Sequence, residues 1–118
     1  MTTDLAGRRV LLVEDEYFIA DDTARIFAAG GAEVVGPVAS VGDALILLAA
    51  TPRLDAAVLD INLQGEMAYA VADALSERGV PFVFATGYDK ASVPERYAAV
   101  IHCEKPVDPQ KIARALFA

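Results

Sequence analysis

Short apolar runs alternate with segments of helical period along the chain. Arg9 to Val13 (Arg-Val-Leu-Leu-Val) is a continuous apolar run closed by acids, the pattern of a strand buried on both faces. From Tyr17 to Ala29, Ile19, Ile26 and Phe27 recur at helical spacing, and Gly30-Gly31 stops that helix. Glu33 to Ala39 predicts a second strand carrying Val34, Val35 and Val38, and Gly36-Pro37 within it demotes it towards a sheet edge. Ser40 is placed to cap a helix through Asp43 to Ala50, with Leu45, Leu48 and Ala49 inward. Thr51-Pro52 ends it, because the residue before a proline is pushed out of the helical region. Ala56 to Ile61 predicts a third buried strand and Asn62 to Glu66, with Gly65, a loop. Met67 to Arg78 is a helix with Val71, Ala72 and Leu75 on one face and Gly79 as its stop. Pro81 to Ala85 is a fourth strand. Thr86 to Tyr97 is the least regular stretch, where Gly87, Asp89 and Pro94 leave room for only a short helix. Ala99 to Cys103 predicts a fifth strand, and a last helix runs from Pro109 with Ile112, Ala113 and Leu116 inward.

Five βα units with apolar strands predict an α/β fold: one doubly wound parallel sheet, helices on both faces, right-handed crossovers. No repeat, low-complexity stretch or linker interrupts the pattern, and 118 residues suit a single domain over 1–118. In such a sheet the site lies beyond the carboxyl ends of the strands, where the strand order reverses. The candidates are therefore the polar residues at successive strand ends: Glu14, Asp15 and Glu16, then Asp60 and Asn62, then Thr86, then Glu104 and Lys105. Asp60 falls midway between Asp15 and Lys105.

Composition narrows the partners. The chain has 17 acidic and 10 basic residues, a net charge of −7, which argues against a nucleic acid or an anionic membrane surface. One cysteine makes no internal disulfide and fits a reducing compartment. No apolar run reaches the ~18 residues of a membrane span, and Met-Thr-Thr-Asp is no signal peptide, so a cytoplasmic location is expected.

The acids gain meaning from being together. Carboxylates gathered at one rim repel, and they stay ionised only beside a cation. Oxygen donors of this kind suit Mg²⁺. A carboxylate beside a divalent ion and an ammonium is arranged to attack a phosphoryl group, since both cations neutralise the transferring oxygens. Asp60 is the expected nucleophile, Lys105 the fixed positive charge and Thr86 a hydroxyl donor. Taken singly, Glu14-Asp15-Glu16 reads as acids opposing a helix dipole, Asp60 as a cap, Thr86-Gly87 as a turn and Lys105-Pro106 as a solvated loop. Their joint placement on successive strand ends favours the functional reading.

Leu12-Val13-Glu14-Asp15-Glu16, Val58-Leu59-Asp60-Ile61-Asn62, Ala85-Thr86-Gly87 and Lys105-Pro106 together resemble the receiver domain of two-component response regulators, over the whole chain. The resemblance implies a flavodoxin-like, CheY-like sheet in the order 2-1-3-4-5 with five helices, the fourth short or irregular. It implies that Asp60 accepts a phosphoryl group from a histidine kinase or a histidine phosphotransferase. Asp15, Asp60 and the backbone carbonyl of Asn62 would ligate Mg²⁺, Glu14 would reach it through water, and Thr86 and Lys105 would hold phosphoryl oxygens. The Lys105–Pro106 peptide is expected to be cis. A finer likeness lies in Phe84-Ala85-Thr86-Gly87-Tyr88, which is similar to the signature of the FAT GUY receivers, often stand-alone proteins linked to kinases of HWE or related type.

One position departs from the family pattern. His102 stands three residues before the lysine, where receivers carry a mobile Tyr or Phe. Tyr88, or the segment from Gly87 to Tyr97, would then take over the coupling to Thr86, and His102 is expected as an exposed strand-end residue without a partner. Cys103 is expected to pack as a small apolar side chain. The main expectation is a phosphorylation-controlled switch acting on a downstream protein that the residues do not name. The alternatives are a phosphate sink or shuttle in a phosphorelay, a receiver cut from a hybrid kinase, and a degenerate receiver that only docks. A small phosphatase with an Asp nucleophile is disfavoured: its second acid would stand at Asn62, which cannot protonate a leaving group. The chain is expected to catalyse only its own phosphorylation and dephosphorylation.

Overall fold

The computed structural model describes residues 5–86 and 93–117. Strands β1 (Arg9–Val13), β2 (Glu33–Val38), β3 (Ala56–Asp60), β6 (Phe82–Thr86) and β7 (His102–Glu104) form one parallel sheet in the order β2-β1-β3-β6-β7. β4 (Asn62–Leu63) and β5 (Glu66–Met67) make a separate antiparallel hairpin, so the main sheet has the flavodoxin-like order. The helices are α1 (Tyr17–Ala29), α2 (Val41–Ala49), α3 (Tyr69–Glu77) and α4 (Pro109–Phe117).

Alternation along the central strands builds two cores. Leu11, Val13, Ala57, Leu59 and Phe84 face α2 and α3, where Ala44, Leu48, Val71, Ala72 and Leu75 cover them. Val10, Leu12, Val58, Val83 and Ala85 face Phe27 of α1 and Ile112 and Ala113 of α4. A sheet covered on both faces is what the continuous apolar strands require.

The proline-bearing strand β2 is an edge strand, as its Gly36-Pro37 foretold. Gly36 holds φ +96°, and a Cβ there would meet the Leu12 carbonyl oxygen and the Val38 nitrogen, both at 3.0 Å. Only glycine fits this approach, and the register between β1 and β2 slips beside it. The Gly36–Pro37 peptide is cis, and so is Lys105–Pro106.

Several boundaries move. α2 starts at Val41, capped by Ser40 Oγ accepting from the Asp43 N–H, so Val41 and Ala44 turn inward and Ala49 faces solvent. On α1 Ile26 is 47% exposed and Ala20 is buried instead. The expected Asn62–Glu66 loop is a hairpin that absorbs Met67, and α3 begins at Tyr69. The fifth strand of the sheet is His102–Glu104 rather than Ala99 to Cys103, because Tyr97 closes a short 3₁₀ turn (Glu95–Tyr97) and the chain turns again over 98–99 before pairing. The described residues thus contain four α-helices and that 3₁₀ turn, not five helices.

Candidate functional site

The site forms where the sheet order reverses, between β1 and β3. Val13 pairs in register with Leu59, so Glu14 and Asp60 emerge side by side at the carboxyl edge. Carboxylate oxygens of Glu14, Asp15 and Asp60 lie within 4.8 Å of one another. Lys105, which follows β7 at the same edge, sets its Nζ 2.6 Å from Glu14 Oε1 and 3.2 Å from Asp60 Oδ2. Glu14 is buried and Asp60 and Lys105 are largely so, which strengthens every charge interaction among them.

One ammonium does not neutralise this group. Burial, the hydrogen bond with Glu14 and the Glu14 charge raise the Asp60 carboxyl to about 7, against the opposing pull of Lys105. Burial alone would lower the Lys105 ammonium. Its hydrogen bonds and charge interactions with Glu14 and Asp60 outweigh that and hold it above the ordinary lysine value. All-oxygen donors this close, with a carboxyl driven to keep a proton, match a hard divalent cation, which would replace the proton with two charges. The cluster is therefore chemically fit to hold a metal ion.

Asp15 completes the group from the other side. Its Oδ2 accepts the Gln64 backbone N–H at 2.9 Å. Asn62 opens the hairpin two residues beyond Asp60, the end of β3, and its side-chain oxygen accepts the Gly65 N–H at 2.8 Å. Thr86 is the last residue of β6, one position beyond the Ala85 that pairs with Asp60. Glu16 and Glu104 share the strand ends but stay exposed and outside the three-carboxylate cluster. Tyr88 lies outside the described residues.

No protein-family model matches the chain. Its fold is shared with solved structures, among them SdrG from Sphingomonas melonis Fr1: 37% identity, 98% of this chain and 96% of that one, TM-score 0.79. A second structure, described as the BeF3-activated conformation of SdrG, is 38% identical over 94% of each chain, with a TM-score of 0.74. A response regulator receiver domain (CheY-like) from Methylobacillus flagellatus shares the fold at 24% identity, with a TM-score of 0.76 over 92% of this chain and 98% of that one. The positive alginate biosynthesis regulatory protein of Pseudomonas aeruginosa is 32% identical over 111 residues, 91% of this chain. This chain spans 45% of that protein's length. The chain has the CheY-like receiver fold.

In this fold His102 is not the exposed residue expected of it. It is half-buried, its ring meets Phe84 edge-on at 5.5 Å, and its buried Nδ1 has no hydrogen-bond partner among the described residues. The reason is the shift of β7: His102 begins the strand and stands in register with Phe84 instead of lying near its far end. Cys103 packs half-buried against the α4-side core, and burial pushes its thiol up.

Three features around the site escape a reading by strand ends. Gln64 acts through its backbone N–H, which carries no residue-type signal; only Gly65 two residues before Met67 hinted at a turn. Tyr97 is buried, stacked on Tyr69 at 5.5 Å and edge-on to Phe84 at 5.8 Å, with its hydroxyl donating to the Tyr69 carbonyl at 3.1 Å and to the Asp73 carboxylate. Tyr17 and Phe18, 75% and 81% exposed, form an edge-to-face pair immediately beyond the acids. Their position outside the Ile19–Phe27 stripe was the available signal.

Proposed function

We propose that this receiver accepts a phosphoryl group on Asp60 from the phosphohistidine of a histidine kinase, or of a histidine phosphotransferase, in a Mg²⁺-dependent reaction. The observation that carries the reading is the contact of Asp60 with Lys105 at 3.2 Å inside the Glu14–Asp15–Asp60 cluster, at the point where the sheet order reverses. An ionised Asp60 oxygen attacks the phosphorus, the donor P–N bond breaks, and its electron pair leaves with the imidazole, which regains a proton from water. Lys105 and Thr86 receive the phosphoryl oxygens. Asp15, Asp60 and the Asn62 carbonyl would hold Mg²⁺, with Glu14 behind a water, and the bound ion would supply charge neutralisation on the transferring group.

The chain acts as an acceptor that catalyses only its own phosphorylation and dephosphorylation. Asn62 offers no proton to a leaving alcohol, so turnover of phosphate esters is not expected. The run Phe84-Ala85-Thr86-Gly87-Tyr88 resembles the signature of the FAT GUY group, which supports a kinase of HWE or related type as donor. A BeF3-activated conformation of SdrG supports the reading, since beryllofluoride mimics an acyl phosphate. The exposed Tyr17–Phe18 pair beside the acids is the surface we assign to the phosphoryl donor, because exposed aromatics at a rim mark protein contacts.

Amide spectra with and without beryllofluoride and Mg²⁺ test this. Wild type should shift around Asp60 and along β6 and β7, and Asp60→Asn should not. An unchanged wild-type spectrum, or the same shifts in Asp60→Asn, would refute the assignment of Asp60.

A further inference from the structure

We infer that the β4–β5 hairpin is a positioning device for the metal-binding carboxylate of Asp15, with the Asn62 side chain as its pin. The inference rests on the proposed metal site. The hairpin turn has two central residues, Gln64 at φ +55° and Gly65 at φ +89°. Positive φ at both gives the turn whose twist suits a tight hairpin. The amides of such central residues lie outside the strand ladder and need partners of their own. Gly65 N–H finds the Asn62 side-chain oxygen at 2.8 Å, and Gln64 N–H finds Asp15 Oδ2 at 2.9 Å.

These bonds run in sequence. Asn62 fixes the turn, the turn aims the Gln64 amide, and the amide holds one oxygen of the Asp15 carboxylate. The hairpin itself is anchored. Leu63 is buried in the core, and Ala68 N–H donates to the Ile61 carbonyl at 2.8 Å across the hairpin base. Asp15 would otherwise be a half-exposed side chain on a loop, free to rotate at an entropic cost on binding. Holding it from the hairpin orients the carboxylate before an ion arrives, as outer-shell partners do for ligands in general. Asn62 thus has two separable roles: its backbone carbonyl in the ligand set, and its side chain as a positioning group acting on Asp15 through Gln64.

Three variants separate these roles. Asn62→Ala keeps the carbonyl and removes the pin. Gly65→Ala places a Cβ at φ +89° with no atom within 4 Å, so it strains the turn and touches nothing else. Gly65→Asn is the conservative control, since asparagine tolerates positive φ better than alanine. Mg²⁺ affinity of the full chain is measured by calorimetry, and protection of the Gln64 amide by hydrogen exchange. Both alanine variants should free the Gln64 amide and weaken Mg²⁺ binding ~10-fold, and Gly65→Asn should keep more of each. A freed Gln64 amide with unchanged Mg²⁺ affinity would overturn the inference, and so would an amide that stays protected in both alanine variants. Failure of the wild type to bind Mg²⁺ would instead remove the metal reading, and this inference with it.

Discussion

Asp60 and Lys105 touch, yet the aspartate still carries a raised pKa, because Glu14 and burial act on the same carboxyl. The consequence for stability has a definite sign. The folded value of about 7 lies above the ordinary 3.8, so the native state holds a proton that the unfolded chain has released. Stability from this group is fully present below the ordinary value and is lost as the pH rises through about 7. In metal-free buffer Asp60→Asn should therefore exceed wild type by ~1–3 kcal/mol at pH 8. Urea unfolding should find the gap narrowing as the pH falls towards 4. A gap that is absent, or that grows in acid, would contradict the electrostatic account of the pocket. At this scale Glu14, Asp15, Asp60 and Lys105 were legible because charged residues at strand ends stand out against apolar runs. The Gln64 amide was not, since every residue but proline has one.

At the scale of elements, the central strands and α1 followed from continuous apolar runs and from Gly30-Gly31. The misjudged boundaries share a cause: tertiary contacts that a local pattern does not contain. Ala99 to Cys103 is as apolar as a strand, but Tyr97 is held by Tyr69, Phe84 and Asp73, and pairing with β6 begins only at His102. That anchorage predicts unequal costs. Tyr97→Phe loses the hydroxyl bonds and should cost about 1 kcal/mol, while Tyr97→Ala empties the aromatic pocket and should cost ~3–5 kcal/mol in urea unfolding. Arg96, whose bridge to Asp73 is exposed, should matter little when replaced by alanine. At the amino end of α1, Phe18→Ala should slow transfer from a cognate kinase ~10-fold or more. Labelling by a small acyl phosphate should be unaffected. Equal slowing with both donors would place Phe18 in the chemistry and not at the docking surface.

For the whole molecule, the net charge of −7 has two origins. Glu14, Asp15 and Asp60 concentrate three of the acids in one pocket, and the other acids lie elsewhere along the sequence. On the proposed metal reading, the first part links folding to the ion. At ten times its dissociation constant, Mg²⁺ should stabilise the protein by ~1.4 kcal/mol, a rise of several degrees in Tm. Asp15→Ala should abolish most of that rise, and a calorimetric scan with and without Mg²⁺ checks it. The most direct test of the whole account is intact-mass analysis after incubation with acetyl phosphate, followed by peptide mapping. The wild type should gain one phosphoryl group, on Asp60, only with Mg²⁺ present, and Asp60→Asn should gain none. A phosphoryl group on another residue, or equal labelling of Asp60→Asn, would contradict it.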